Sequence, residues 1–173
     1  MKITIFGLPG AGKSTVGKAL ADKLGYVYMS SGNIFREMAN NHNMSIYEFD
    51  EYARDNPKFD IELDKHVEKF GVENDNFVFE SRLAWHFIPD SFKIKLLCEE
   101  DVAFKRISER ENISFDEAKS KTVKRSDTIS NRYKNIYPNI KYPPEDLVFD
   151  LIIDNTYISV DKQLSEIIEK LNL

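Results

Sequence analysis

Ile3-Thr4-Ile5-Phe6-Gly7-Leu8-Pro9-Gly10-Ala11-Gly12-Lys13-Ser14 opens as a short β-rich apolar run and passes directly into the pattern G-x-x-x-x-G-K-[ST]. Beyond it, Val16, Ala19, Leu20 and Leu24 fall on one stripe of an amphipathic helix. Strand, glycine-rich turn and helix are the context in which this pattern works as a phosphate loop. Glycines let consecutive backbone N–H groups turn inward, and the helix presents its positive end. Lys13 reaches the outer phosphates, and Ser14 Oγ is placed to ligate Mg2+. The alternative, a glycine-rich turn that binds nothing, needs both the pattern and its flanks to be coincidence. Gly7, Pro9, Gly10, Ala11, Gly12, Lys13, Ser14 and Thr15 are therefore the candidate polyphosphate-binding residues.

At 173 residues the chain suffices for one domain with a substantial core and is short for two. Mean hydropathy is −0.45, and no apolar run approaches the roughly 20 residues of a membrane span. Gly7, Pro9 and Gly10 interrupt the start before a signal-peptide core can form, and the single cysteine, Cys98, excludes an intrachain disulfide. A soluble cytoplasmic protein, monomeric and without a membrane partner, is the expectation.

The net charge of −5 argues against a nucleic-acid coat, but the charge is uneven. Residues 105–141 carry ten Lys/Arg against five Asp/Glu, a local +5 that leaves −10 for the remainder. Such a segment is either an exposed charged helix pair or a place where anions are gathered.

Along the chain, Tyr26–Met29 reads as a second strand ending at Ser30-Ser31-Gly32. A run of helices follows: one with Ile34, Phe35 and Met38, one begun by the capping box Ser45-Ile46-Tyr47-Glu48, and one with Phe59, Leu63, Val67 and Phe70 that should stop at Gly71. Asn76–Phe79 returns to the sheet and ends abruptly at Glu80-Ser81-Arg82, and Phe92–Cys98 supplies a fourth strand, with Cys98 expected in the core. Helices carrying Arg106 with Arg110, and Arg125 with Arg132, come next, the second starting at Ser114-Phe115-Asp116-Glu117. A strand from Leu147 to Ile153, interrupted by Asp150, and a helix striped with Val160, Leu164, Ile167, Ile168 and Leu171 close the chain. Strands alternating with helices specify an α/β fold with a five-stranded parallel sheet, and an insertion after a strand's carboxyl end lies over the ligand crevice.

The loop alone does not choose among switches, motors, ATPases and kinases. No N/T-K-x-D guanine-reading sequence occurs, which argues against a GTP-binding switch. Arg36, Arg82, Arg106, Arg110, Arg125 and Arg132 lie at strand ends or on the excursion helices, where they could surround a second phosphate and the migrating phosphoryl; guanidinium grips phosphate oxygens in pairs. A phosphate acceptor, with a second pKa of about 6, needs no general base at neutral pH. A hydroxyl acceptor would need one, and Asp60 and Asp64 are the candidates. A nucleotide-dependent ATPase that binds RNA or protein through its basic segment is the reading from another class.

The phosphate loop, Ser30-Ser31-Gly32-Asn33-Ile34-Phe35-Arg36-Glu37, Glu80-Ser81-Arg82-Leu83-Ala84 and the segment from Arg125 to Arg132-Tyr133 occur in the order seen in the cytidylate kinases of the short, archaeal type, which this chain resembles over nearly its whole length. The resemblance implies a nucleoside monophosphate kinase fold of the phosphate-loop superfamily. It divides the chain into a core (1–31, 72–104 and 145–173), a monophosphate-binding insert (32–71) and a lid (105–144). It also implies transfer of a phosphoryl group from ATP to CMP or dCMP with magnesium, no nucleic-acid partner being required. By position, Lys13 would hold the donor phosphates; Arg36 and Arg82, with Ser31 and Asp60, the monophosphate; Arg125 and Arg132 would close on the transferring group. Arg106 and Arg110 would serve the lid side of ATP, and Glu80 would hold magnesium through water or pair with Arg82. Trp85 either lines the base pocket or packs beneath the insert. The chain departs from the family pattern at Asn33, where Glu is usual, at Ser81, where Gly is usual, and at Ile129, often acidic.

Overall fold

The computed structural model of the protein describes residues 1–172. Five strands, β1 (Lys2–Gly7), β2 (Val27–Ser30), β3 (Phe77–Glu80), β4 (Phe92–Leu97) and β5 (Leu151–Asp154), form one sheet in the order β2-β3-β1-β4-β5, parallel throughout. The α/β architecture expected from the sequence is the one found. Alternate residues divide the sheet into two faces. Ile3, Ile5, Val78, Ile94, Leu96 and Ile153 form one core with helices α1 (Lys13–Leu24) and α8 (Val160–Leu171). On the other face Phe77 and Phe79 pack with Val67, Ala84 and Ile88.

Three helices separate β2 from β3: α2 (Ser31–Asn41), α3 (Ile46–Arg54) and α4 (Lys58–Glu73). Ser45 starts α3 with both bonds of its capping box in place. The insert keeps a core of its own, in which Phe35, Phe49 and Phe59 pack with Ala39, Ala53 and Leu63. After a short α5 (Ala84–Phe87) and β4 come α6 (Glu100–Glu111) and the long α7 (Phe115–Ile136), whose Ser114 cap accepts from Glu117 N. Helix α7 lies against α3 of the insert.

Several local expectations differ from what is found. Helix α2 begins at Ser31 with no intervening loop, because Ser30 Oγ caps it by accepting from Asn33 N. Gly71 does not stop α4, which continues to Glu73; a Cβ there would come within 2.7 Å of Ile88 Cγ1, so the glycine serves helix-to-α5 contact instead. Asp150 does not interrupt β5 but precedes it: its backbone N–H donates to Lys93 O and its carboxylate accepts from Lys93 N. The preceding residues form a 3-10 turn, Asp146–Val148. No helix among the described residues is long and apolar enough to cross a membrane.

Candidate active site

The phosphate loop joins β1 to α1 at the carboxyl edge of the sheet. Gly10 and Gly12 have φ of +80° and +78°, in the left-handed region where a side chain is strained. At Gly10 a Cβ would also lie 2.6 Å from the carbonyl oxygen of Ala103 in α6. Helix α1 starts at Gly12 without a side-chain cap, so its first backbone N–H groups face the loop as donors for an anion. The loop is held from behind. Asn155, just after β5, donates from Nδ2 to Ala11 O at 2.6 Å, and its Oδ1 accepts from Arg106 Nη1 at 3.1 Å. Arg106 Nη2 donates to the carbonyls of Asn155 and Thr156, and Nη1 also approaches Cys98 Sγ at 3.3 Å. Cys98 is thus half-buried at the edge of the core that α1 and α8 form with the sheet, and Arg106 is a buttress of the loop in this state.

Lys13 is the focus of the charge. Burial pushes its ammonium down to about 8; Glu80 opposes that shift, while Arg82, Arg125 and Arg110 add to it. Those arginines come from the end of β3, from α7 and from α6, so residues far apart in sequence share one electrostatic neighbourhood. Arg36 on α2 belongs to it too, as one of the cations that lower Arg125 after burial and Arg82. Arg36 itself is exposed and donates to Asn33 Oδ1, one of the departures from the family pattern. Arg110 lies near the surface beside Glu111.

Glu80, at the tip of β3, makes no ion pair with Arg82 among the described residues. It accepts from Ser14 Oγ at 2.8 and 3.0 Å and from Ser30 Oγ. One carboxylate and a hydroxyl at the start of α1 are hard oxygen donors of the kind Mg2+ accepts when substrate phosphates and waters supply the rest of its shell, so the residues fit that cation.

Arg125 and Arg132 are both turned to the insert. Arg125 Nε donates to Asp50 Oδ2. Arg132, only 3 % exposed, donates to Asp50 O at 3.0 Å and to Asp60 Oδ1 at 3.1 Å, and lies over the Phe35 ring. Its Nε also approaches Asp60 Oδ2 at 2.7 Å, a contact of charges without hydrogen-bond direction, since both atoms lack a directed partner. Asp64, one turn on, accepts from Tyr137 Oη at 2.8 Å, and burial pushes its carboxyl up to about 7. Neither Asp60 nor Asp64 stands free as a base for a hydroxyl acceptor. Ser31 is buried at the start of α2. Trp85 packs beside Leu83, Ile129 and Tyr133, on the side of α7; Ile129 is fully buried there. Much of the local +5 therefore meets acids of the insert, including a pair between Lys124 and Glu51.

Asp50, Asn155 and Tyr142 are site residues that sequence reasoning missed. Asp50 left a signal, an acid on the buried stripe of α3 between Phe49 and Ala53. Tyr142 and Tyr133 crowd Arg82. A cavity of about 760 Å3 lies beside the other flank of the loop, between Leu8, the end of β4 and the α6–α7 pair; Lys13, Glu80 and Arg82 do not line it.

This fold and this loop define a phosphate-loop nucleotide-binding protein. The shikimate kinase of Bacteroides thetaiotaomicron superposes with a TM-score of 0.64 at 19% identity, covering 100% of this chain and 99% of that one. Residues 2–157 match the model of the cytidylate kinase-like family, and the chain belongs to that family. Relatives include the cytidylate kinase of Methanobrevibacter smithii, 39% identical over 137 residues (79% of this chain, 80% of that protein). That of Methanosarcina acetivorans is 38% identical over 170 residues, with 93% of each chain covered.

Proposed function

We propose that the protein phosphorylates a nucleoside monophosphate from ATP, with CMP or dCMP as acceptor. The observation that carries this reading is the convergence on Lys13 of Arg82, Arg110 and Arg125, from three separate elements, beside Glu80. Two anions that repel each other need such a surround before they can react. The loop amides and Lys13 hold the donor's terminal phosphates. Arg82 and Arg36 hold the acceptor phosphate, with Ser31 at the start of α2 near it. The acceptor's dianion attacks the terminal phosphorus in line; the bond to the bridging oxygen breaks, and ADP leaves with that electron pair. No side chain takes a proton, because the attacking oxygen has already lost its own.

Ser14 and Glu80 would hold Mg2+, directly and through water; the cation neutralises phosphate charge when bound. Arg125 and Arg132 exchange their aspartates for phosphate oxygens as substrates arrive. Arg110 serves the donor side, while Arg106 acts there through Asn155 and the loop. Asp60 contributes to the acceptor site by holding Arg132 in place until the phosphate arrives. The name borne by the relatives supports cytidine as the base.

The test is ADP release with CMP, dCMP, UMP, AMP and GMP offered in turn. Turnover that depends on CMP or dCMP is expected; ATP hydrolysis indifferent to every acceptor would overturn the reading.

A further inference from the structure

Tyr28 lies two residues before Ser30 on β2, and the parallel register sets these two beside Val78 and Glu80 of β3. Residues two apart on a strand share a face, so the phenol and the Glu80 carboxylate rise on the same side of the sheet, toward α1. Its ring lies close against that helix: a Cβ on Gly17 would come within 2.9 Å of Tyr28 Cε2. The hydroxyl ends among Ser14, Ser30 and Glu80 but meets none of them with hydrogen-bond geometry.

All three neighbours are already committed to one another. Ser14 and Ser30 both donate to Glu80, and Tyr28 Oη is buried with no hydrogen-bond partner. Buried hydroxyls are nearly always satisfied, so an orphan at this spot marks a partner that arrives with the ligands. A tyrosine hydroxyl ordinarily titrates at about 10, so it keeps its proton near neutral pH and remains a donor.

We propose that Tyr28 is a positioning residue of the magnesium site, its hydroxyl and Glu80 together fixing the water through which the cation is gripped. The inference rests on the kinase reading above. When Ser14 Oγ turns a lone pair to the cation, its bond to Glu80 is lost, and a carboxylate oxygen comes free beside the phenol. A water between them then accepts from Tyr28 and donates to Glu80. Magnesium retains several waters when it binds beside phosphates, and a site that orders one of them favours the cation without a second carboxylate.

The experiment compares the wild type with Tyr28→Phe, which keeps the ring against Gly17 and removes only the hydroxyl. Mn2+ binding to the ADP-loaded protein is followed by the loss of the free-ion electron paramagnetic resonance signal. ADP affinity in EDTA and the melting temperature are measured alongside. The expected result is a Mn2+ Kd weakened about five- to tenfold, the scale of one hydrogen bond. ADP affinity in EDTA stays within about twofold and the melting temperature within a few degrees. Unchanged Mn2+ affinity in the variant overturns the proposal, as does an equal loss of ADP affinity in EDTA, which would show a packing role. If the wild type itself binds ADP no differently with Mn2+ than with EDTA, the magnesium reading beneath the proposal fails and takes it along.

Discussion

The phosphate loop and the contact between α7 and the insert both carry the charges that a phosphoryl transfer needs, yet they are built in opposite ways. The loop is braced without any carboxylate: Asn155 holds Ala11 O, Arg106 holds Asn155, and Ala103 closes over Gly10. Among the described residues Lys13 makes only one hydrogen bond, to Leu8 O at 3.2 Å. Across the cleft, Arg125 and Arg132 are occupied by Asp50 and Asp60. One half is ready for phosphate before any arrives; the other must trade one anion for another. Part of the binding energy of the second substrate is consumed in that trade, which ties tight capture of both substrates to completion of the site.

The sharpest way to break this contrast is to remove one cation from each half. Lys13→Ala should cut turnover at least a hundredfold while the melting temperature stays near that of the wild type. Arg132→Ala should cut turnover by a similar factor, and should also destabilise the fold by about 3 to 5 kcal/mol, because it leaves the buried Asp60 carboxylate without its cation and takes one of two from Asp50. Steady-state kinetics and thermal melts of the same samples check both; a fully stable Arg132→Ala protein would show that the aspartates do not depend on it.

A pH titration of the empty loop is the next largest effect. Lys13 is charged below about 8 and loses its proton as the pH rises through that value. A bound polyphosphate favours the ammonium, so nucleotide affinity in EDTA should be nearly level up to pH 7 and then fall about fivefold between pH 8 and 9. Calorimetry in buffers of different ionisation enthalpy should show proton uptake on binding at pH 9 and none at pH 7. Affinity that is flat across this range would mean that the ammonium is not the group that meets the phosphates.

Asp50→Asn addresses the trade itself. With its anionic partner gone, Arg125 should be free for phosphate, and the acceptor's KM should fall severalfold even as stability declines. A raised KM with unchanged kcat would instead identify Asp50 as a group that orients the arginine productively.

The smallest effect belongs to Asp64. Its carboxyl titrates near 7 in the folded protein against 3.8 as the reference, so folding favours the protonated form and the associated stability is lost as the pH rises through 7. Asp64→Asn keeps an acceptor for Tyr137 and should be relatively more stable at pH 8 than at pH 5, measured as the difference in melting temperature from the wild type at each pH. A difference that does not change with pH would remove the titration from this carboxyl.

The two halves also differ in how far they were legible in the chain. The loop could be read residue by residue because its geometry is local: strand, glycines, lysine and helix are contiguous, and each type is dictated by a neighbour within a turn. The arginines could be placed on elements but not aimed. Arg125 and Arg132 share a face of α7, as their spacing requires, but what that face meets is Asp50, 75 and 82 positions away, and no periodicity reports a partner at that distance. Arg106 shows the same limit, since its charge suggested a ligand whereas Asn155 and two carbonyls satisfy it. Gly71 failed for a simpler reason: a glycine near a helix end signals a stop locally and a close approach only in three dimensions.

The aromatic nucleus that Phe35, Phe49 and Phe59 give the three-helix excursion has a bearing on how such enzymes diversify. Because those rings hold the helices to one another, side chains on the cleft-facing surface of the excursion can be exchanged without loosening the sheet or the phosphate-gripping turn. The excursion can then vary at its surface as one compact piece, while the sheet and the turn keep a core of their own.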